Sequence, residues 1–363
     1  MALRVVIAGG GTGGHLYPGI AVARELLAQR PDAQISFAGT AKGIESRVIP
    51  REGFELDVIR SGGLKGKSIA DRARGAALLP VSLADAWQVV SKRRPHLVIG
   101  VGGYSSGPVV LAAAVRGVAT MLLEQNAVPG LTNRLLARAV KAAAVTFDST
   151  QAFFGSKAFV SGNPVRPEFL AAGSQQESAL DDQATVTRVL VFGGSQGAHA
   201  INVAMVEAAA RLAADGPHLH LTHQTGERDA EMVRAAYREA GVQAVVEPFL
   251  YDMGRQLGAA DLIVCRAGAT TLAEITAAGR AAILIPLPSA TDDHQRKNAE
   301  ALAASGAAEV LLQRDMTGAR LAERILSLAA DRDRRRRLAT AAKSLAKPDA
   351  ARVIVDRALE LAG

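Results

Sequence analysis

Val5-Val6-Ile7-Ala8-Gly9-Gly10-Gly11-Thr12-Gly13-Gly14 returns in the second half of the chain as Val189-Leu190-Val191-Phe192-Gly193-Gly194-Ser195-Gln196-Gly197-Ala198. Each stretch is an apolar run of strand length, a glycine turn and a helix start, the opening of a βαβ unit. Around the first, a strand is expected at Arg4 to Ala8, a helix from about Pro18 to Gln29, and a strand at Gln34 to Ala38. Further strands are expected at Leu97 to Val101, Thr120 to Leu123 and Ala143 to Thr146, with helices between. Such alternation makes a mostly parallel sheet covered on both faces. The pattern breaks at Gly162-Asn163-Pro164-Val165-Arg166-Pro167, and a polar stretch from Gly173 to Thr187 follows, so a domain boundary is expected there. The repeat therefore predicts an α/β protein of two similar halves, with ligands at the carboxyl ends of the strands in a cleft that both halves face.

A length of 363 residues suits two domains, and 49% hydrophobic against 4% aromatic residues gives an aliphatic core. The one cysteine, Cys265, lies in the apolar run Leu262-Ile263-Val264-Cys265, so no intramolecular disulfide forms and a reducing compartment is expected. Met1 to Ala8 is too short an apolar stretch for a signal peptide, and Ala76 to Ala84 is interrupted by Pro80, short of the roughly 18 to 20 residues that span a bilayer. Any membrane contact is expected to be peripheral. The net charge of +7 favours anionic partners such as phosphates, nucleic acid or acidic headgroups. It is concentrated between Arg60 and Pro95, where Arg60, Lys65, Lys67, Arg72, Arg74, Lys92, Arg93 and Arg94 meet only Asp71 and Asp85. Ile69, Leu78, Leu79, Leu83 and Trp87 are interleaved with them. The run Arg334 to Arg337 reads as a solvated helix face.

Glycines after a buried strand let a ligand approach the N–H groups of the next helix, where partial positive charge favours phosphate. Three such loops occur, Gly9 to Gly14, Gly102-Gly103-Tyr104-Ser105-Ser106-Gly107 and Gly193 to Gly197. Gly9, Gly11 and Gly14 match the dinucleotide fingerprint, but the second strand ends Phe37-Ala38-Gly39-Thr40 without the acidic residue that would hold an adenosine ribose. A Walker motif fails because His15 stands where lysine would follow. Near a helix N-terminus, His15 reads either as a capping residue or as a neutral imidazole ready to take a proton. Glu124-Gln125-Asn126 sets three polar side chains at a strand's carboxyl end. Thr271 and Glu274 have capping-box spacing, and Glu274 reads either as that cap or as a carboxylate for two ribose hydroxyls.

Taken together, Gly10 to His15, Gly102 to Pro108, Glu124-Gln125-Asn126, Gly162 to Arg166, Gly193 to Ala198, Cys265 to Glu274 and His294-Gln295 resemble the MurG family, across nearly the whole chain and in family order. These are N-acetylglucosaminyltransferases that convert lipid I to lipid II in peptidoglycan synthesis. The resemblance implies the GT-B fold, two Rossmann-like domains facing a central cleft. Residues 1–162, joined by a C-terminal helix at about 349–363, would take the acceptor, and residues 163–348 the donor, UDP-N-acetylglucosamine. By resemblance, Arg166, Ser195, Leu250, Ala269, Thr270, Thr271, Leu272, Ala273, Glu274, His294 and Gln295 serve the donor, with Thr12, Gly13, Gly14 and Asn126 also contacting it. Gly103, Tyr104 and Ser105 serve the acceptor. His294 stands where relatives often carry glutamine.

The implied reaction is a single inverting displacement with one base, His15 first and Glu124 second. No cofactor and no metal is expected, since no Asp-x-Asp pair is placed for a divalent ion. The implied partners are lipid I and anionic phospholipids, with no nucleic acid, at the cytoplasmic side of the cell membrane. A UDP-sugar:diacylglycerol glycosyltransferase and a non-catalytic nucleotide-sugar sensor are the alternatives.

Overall fold

The computed structural model describes residues 2–62, 78–174, 186–194, 196–216 and 218–363. The chain divides into two compact units, Met1–Val165 with Lys347–Gly363, and Arg166–Ala346. The division falls three residues later than expected at Gly162 and two earlier than expected near residue 349.

The first unit is a sheet of seven parallel strands: β1 Arg4–Gly9, β2 Gln34–Gly39, β3 Glu55–Val58, β4 Leu97–Gly102, β5 Ala119–Glu124, β6 Ala142–Val145 and β7 Ala158–Val160. Their order is β3-β2-β1-β4-β5-β6-β7. Alternate residues of β1 serve opposite faces, as the pleat requires. Val5 and Ile7 pack with Leu16, Ile20 and Leu26 of helix Gly13–Gln29 and with Ile354, Val355 and Ala358 of the last helix, Ala350–Ala362. Val6 and Ala8 pack with Ala86 and Val90 of helix Leu79–Arg93 and with Val109 and Val110 of helix Ser106–Val115. With helices on both sides, central strands are buried throughout, as in β4.

The second unit repeats the plan with six parallel strands: β8 Thr187–Phe192, β9 Leu219–Gln224, β10 Ala244–Glu247, β11 Leu262–Cys265, β12 Ala281–Leu284 and β13 Glu309–Val310. They run β10-β9-β8-β11-β12-β13. Val189, Val191 and Val264 meet Ile201 and Met205 of helix His199–Asp215 and Leu321 and Ile325 of helix Gly318–Ala330. In each sheet the strand order reverses once, between β1 and β4 and between β8 and β11. At such a switch point, flanking loops diverge and leave a crevice for ligands.

The first helix begins at Gly13, not at Pro18, because the carbonyl of Thr12 accepts the N–H groups of His15 (3.2 Å) and Leu16 (3.1 Å) and draws the residues before the proline into the helix. His15 therefore sits in the first helical turn. Strands β3, β7, β9, β10, β12 and β13 have no counterpart in the sequence reading; β3, β7 and β13, at two to four residues, carry too little periodicity to be seen.

Candidate active site

At the first switch point the glycine loops after β1 and β4 lie backbone to backbone. Gly102 (φ 94°) and Gly103 (φ 84°) take conformations open to glycine. A Cβ on Gly103 would run into the Gly10 carbonyl, and one on Gly102 would come within 2.8 Å of His15 Nδ1. The histidine thus fits against bare backbone. Its Nδ1 lies 3.3 Å from Gln125 Oε1, while Gln125 Nε2 donates to the Val101 carbonyl at 3.1 Å. That second bond turns the amide oxygen toward the ring, so Nδ1 is the ring nitrogen that donates to it. Gln125 is the residue that sets the tautomer, a role its sequence neighbours did not reveal.

Glu124 has a different part. It is 2% exposed and accepts from Asn126 N (3.0 Å), Asn126 Nδ2 (3.3 Å), Gly130 N (2.9 Å) and Asn133 Nδ2 (2.8 Å). A carboxylate with four donors on it shapes the loop after β5. Of the acceptor candidates Tyr104 is 52% exposed, whereas Ser105 is 2% exposed. Thr12 and Gly14 are exposed, and Gly13 and Asn126 half-buried.

Glu45 was missed altogether in the sequence. Its carboxylate accepts from Gly11 N (2.8 Å), Thr40 N (2.9 Å) and Thr40 Oγ1 (2.7 Å), bracing the first glycine loop from the helix after β2. Burial opposes its charge, but the Gly11 and Thr40 hydrogen bonds outweigh that and hold the carboxyl below its ordinary range. The only sequence signal was an acidic residue a few positions past the strand end where a ribose ligand was sought.

At the second switch point, Ser195 lies outside the described residues. The rest of its loop is pinned from below: a Cβ on Gly197 would run into the Thr225 carbonyl, and Gln224 Nε2 donates to the Gly194 carbonyl at 2.8 Å. Helix Ala269–Ala278 starts after Gly268, whose extended backbone (φ −67°, ψ 141°) makes it the cap. Thr271 is therefore inside the helix and Glu274 in its second turn, so of the two readings open for Glu274 the capping box does not form.

Glu274 instead lies 3.4 Å from Arg166 Nη2. Arg166 Nη1 reaches Glu168 at 3.2 Å, and its guanidinium stacks 4.6 Å from the Phe169 ring centroid. Burial pushes the Glu274 carboxyl up to about 7, with Arg166 opposing. Along the same helix Ala269 and Leu272 are buried, while Thr270, Thr271 and Ala273 are half-buried.

Gln295, in the first turn of helix His294–Ala304, uses Oε1 to accept from Ala267 N (3.3 Å) and Leu287 N (3.0 Å), which leaves its amide Nε2 as the group for a ligand hydroxyl. His294 Nδ1 donates to the Thr291 carbonyl at 2.7 Å, fixing its ring. Asp292 (φ 54°) and Asp293 (φ 56°) before them are left-handed, a strained entry that sets the angle of this helix.

Two parallel sheets, each with a glycine loop at its switch point, one beside a histidine and the other beside an arginine–glutamate pair, define the GT-B class of glycosyltransferases. Residues 5–145 match the model of the glycosyltransferase family 28 N-terminal domain, and residues 188–354 that of its C-terminal domain. The chain is 47% identical to the UDP-N-acetylglucosamine–N-acetylmuramyl-(pentapeptide) pyrophosphoryl-undecaprenol N-acetylglucosamine transferase of Pelobacter propionicus, covering 98% of this chain and 99% of that one. With the same transferase of Geotalea uraniireducens it shares 46% identity over 98% and 97% of the two chains. The crystal structure of Acinetobacter baumannii MurG matches with a TM-score of 0.80 at 31% identity, covering 99% of both chains. A UDP-GlcNAc 2-epimerase from Neisseria meningitidis, with a TM-score of 0.68 at 14% identity over 99% and 100% of the chains, shares the fold alone. The chain belongs to glycosyltransferase family 28, and within it to the MurG family.

Proposed function

We propose that this chain moves N-acetylglucosamine from UDP-N-acetylglucosamine to the 4-hydroxyl of the muramoyl-pentapeptide of lipid I, forming lipid II for peptidoglycan, with inversion at the anomeric carbon. The observation that carries the reading is the Arg166–Glu274 pair beside the second switch point: a cation suited to a diphosphate and, 3.4 Å away, a buried carboxylate suited to two ribose hydroxyls. The acceptor 4-oxygen attacks the anomeric carbon and the bond to the diphosphate breaks. Its electron pair leaves with UDP, and the acceptor proton passes to His15 Nε2. Arg166, with Ser195, opposes the charge that grows on the leaving diphosphate. Gln295 Nε2 and His294 meet sugar hydroxyls, and the Leu250 backbone meets the base. Ala269 to Ala273 form the donor wall that ends in Glu274. Thr12, Gly13, Gly14 and Asn126 are assigned to the donor as well, and Gly103 and Tyr104 to the acceptor.

The acceptor's lipid tail stays in a bilayer, so the chain is proposed to work peripherally, at the cytoplasmic face and on anionic phospholipid. Leu79, Leu83 and Trp87 are 39%, 37% and 48% exposed on one helix, and the Arg116 guanidinium lies 5.0 Å from the Trp87 ring centroid. Such exposed apolar side chains with a guanidinium against the tryptophan suit an interface. Lys65, Lys67, Ile69, Arg72 and Arg74 lie outside the described residues. Among the described residues no helix is long and apolar enough to cross a membrane. Measuring UDP release with and without a lipid I analogue tests the whole reading. Release that depends on the analogue supports it; release with diacylglycerol instead, or none with either, replaces it by the glycolipid synthase or the sensor.

A further inference from the structure

We infer that Ser61 is a positioning residue for the acceptor, tying the loop after β4 to the helix Leu79–Arg93. This rests on the reading that Gly103 and Tyr104 face the acceptor. The Ser61 hydroxyl donates to the Tyr104 carbonyl at 2.8 Å. That carbonyl needs a partner from elsewhere in the chain, because Pro108, four residues on in the helix that follows, has no N–H to give it. Ser61 is held in turn through the residues before it. Ile59 N donates to the Gly39 carbonyl at 2.8 Å, and the Ile59 side chain is buried in one core cluster with Ala86 and Val90 of the helix. Arg60 N and Nε each donate to Asp85 Oδ2 at 2.9 Å, and its Nη2 donates to Asp85 Oδ1 at 2.7 Å. The Ser82 hydroxyl donates to the Arg60 carbonyl. Ser82 and Asp85 belong to Leu79–Arg93, the helix on which Leu79, Leu83 and Trp87 are exposed.

The loop after β4 therefore has two supports, the Gly10 backbone against Gly103 and the Ser61 hydroxyl at Tyr104. The second refers the loop to the helix that the proposed function sets against the bilayer. An acceptor whose lipid tail stays in that bilayer presents its sugar at a fixed height. A loop fixed relative to the membrane-facing helix is placed before the acceptor arrives, and ordering that is already complete is not charged to binding. Without the Ser61 bond the exposed end of the loop, at Tyr104, loses that reference.

Steady-state kinetics with a lipid I analogue in anionic vesicles, beside calorimetric titration of UDP, test this. Ser61→Ala should raise the acceptor KM about 5- to 10-fold, the span of one lost hydrogen bond, with kcat within about 2-fold and UDP affinity unchanged. Ser61→Thr keeps a hydroxyl and should stay within about 2-fold of the unaltered protein. Asp85→Ala should raise the same KM, and joining it to Ser61→Ala should add nothing further, because both act through one bond. Additive losses, or an unchanged KM in Asp85→Ala, overturn the link to the helix. An acceptor KM that stays put in Ser61→Ala while Tyr104→Ala raises it overturns the inference and leaves the acceptor reading intact. If neither variant moves it, both are lost. Should Asp85→Ala not fold, the alanine and threonine variants of Ser61 decide: equal impairment in the two overturns the role of the hydroxyl, and rescue by threonine supports it.

Discussion

Glu274 is where a single residue's environment makes the sharpest demand. Burial raises its carboxyl from an ordinary 4.5 to about 7, so the folded chain holds that proton more tightly than the unfolded one. Stability is therefore fullest below about 4.5 and falls as pH rises through about 7. Glu274→Gln should melt like the unaltered protein near pH 5 and be more stable at pH 8, by roughly 1 to 3 kcal/mol. Donor binding runs the other way, because only the ionised carboxylate accepts both ribose hydroxyls. UDP affinity relative to the glutamine variant should fall as pH drops below about 7, and a pH-independent ratio would remove Glu274 from the ribose. His15 supplies the second case. His15→Ala should lower turnover by roughly 10² to 10⁴ with UDP affinity nearly unchanged. Glu124→Gln should act mainly on thermal stability, since its oxygens are spent on Asn126, Gly130 and Asn133. Near-normal turnover in the His15 variant, with a large loss in the Glu124 variant, would reverse those roles.

At the scale of elements, the paired glycine loops of the first unit work as one piece. Gly103→Ala would force a side chain into the Gly10 carbonyl at a φ of 84°. A loss of at least about 2 kcal/mol of stability is expected. Glu45→Ala should free the first loop more gently, raising amide exchange at Gly11 and lowering kcat/KM while leaving most of the melting temperature in place. Unchanged exchange at Gly11 would show that the loop holds its shape without the carboxylate. These partnerships explain what was legible beforehand. The strands, the glycine turns and the repeat between Val5 and Val189 are local patterns, visible because adjacent residues carry them. Glu45 meets Gly11 across 34 positions and Gln224 meets Leu250 across 26, and no periodicity reports such pairs. The capping-box spacing of Thr271 and Glu274 left two readings open because that spacing is local, while the helix start was decided by Gly268.

For the whole molecule, the +7 charge and the exposed Leu79, Leu83 and Trp87 bear on where it works. Co-sedimentation with vesicles should rise with anionic lipid and fall with salt, since each basic residue near such a surface contributes about 1 kcal/mol. Replacing Lys65, Lys67, Arg72 and Arg74 by glutamate should abolish it without changing UDP affinity, and undiminished sedimentation would take that stretch out of the mechanism. By itself the sequence determined that there are two parallel α/β units of one plan, that glycine loops end β1, β4 and β8, and which family the chain belongs to. Those facts live in short windows, where hydrophobic period and glycine spacing act directly on the backbone. Only the tertiary structure decided that Glu124 shapes a loop, that Gln125 sets the His15 tautomer, that Glu274 faces Arg166 and that Gln224 holds Leu250. Each depends on burial and on a partner brought up from a different strand or helix, and a side chain's charge and its hydrogen bonds are fixed by that surrounding, not by its neighbours in the chain.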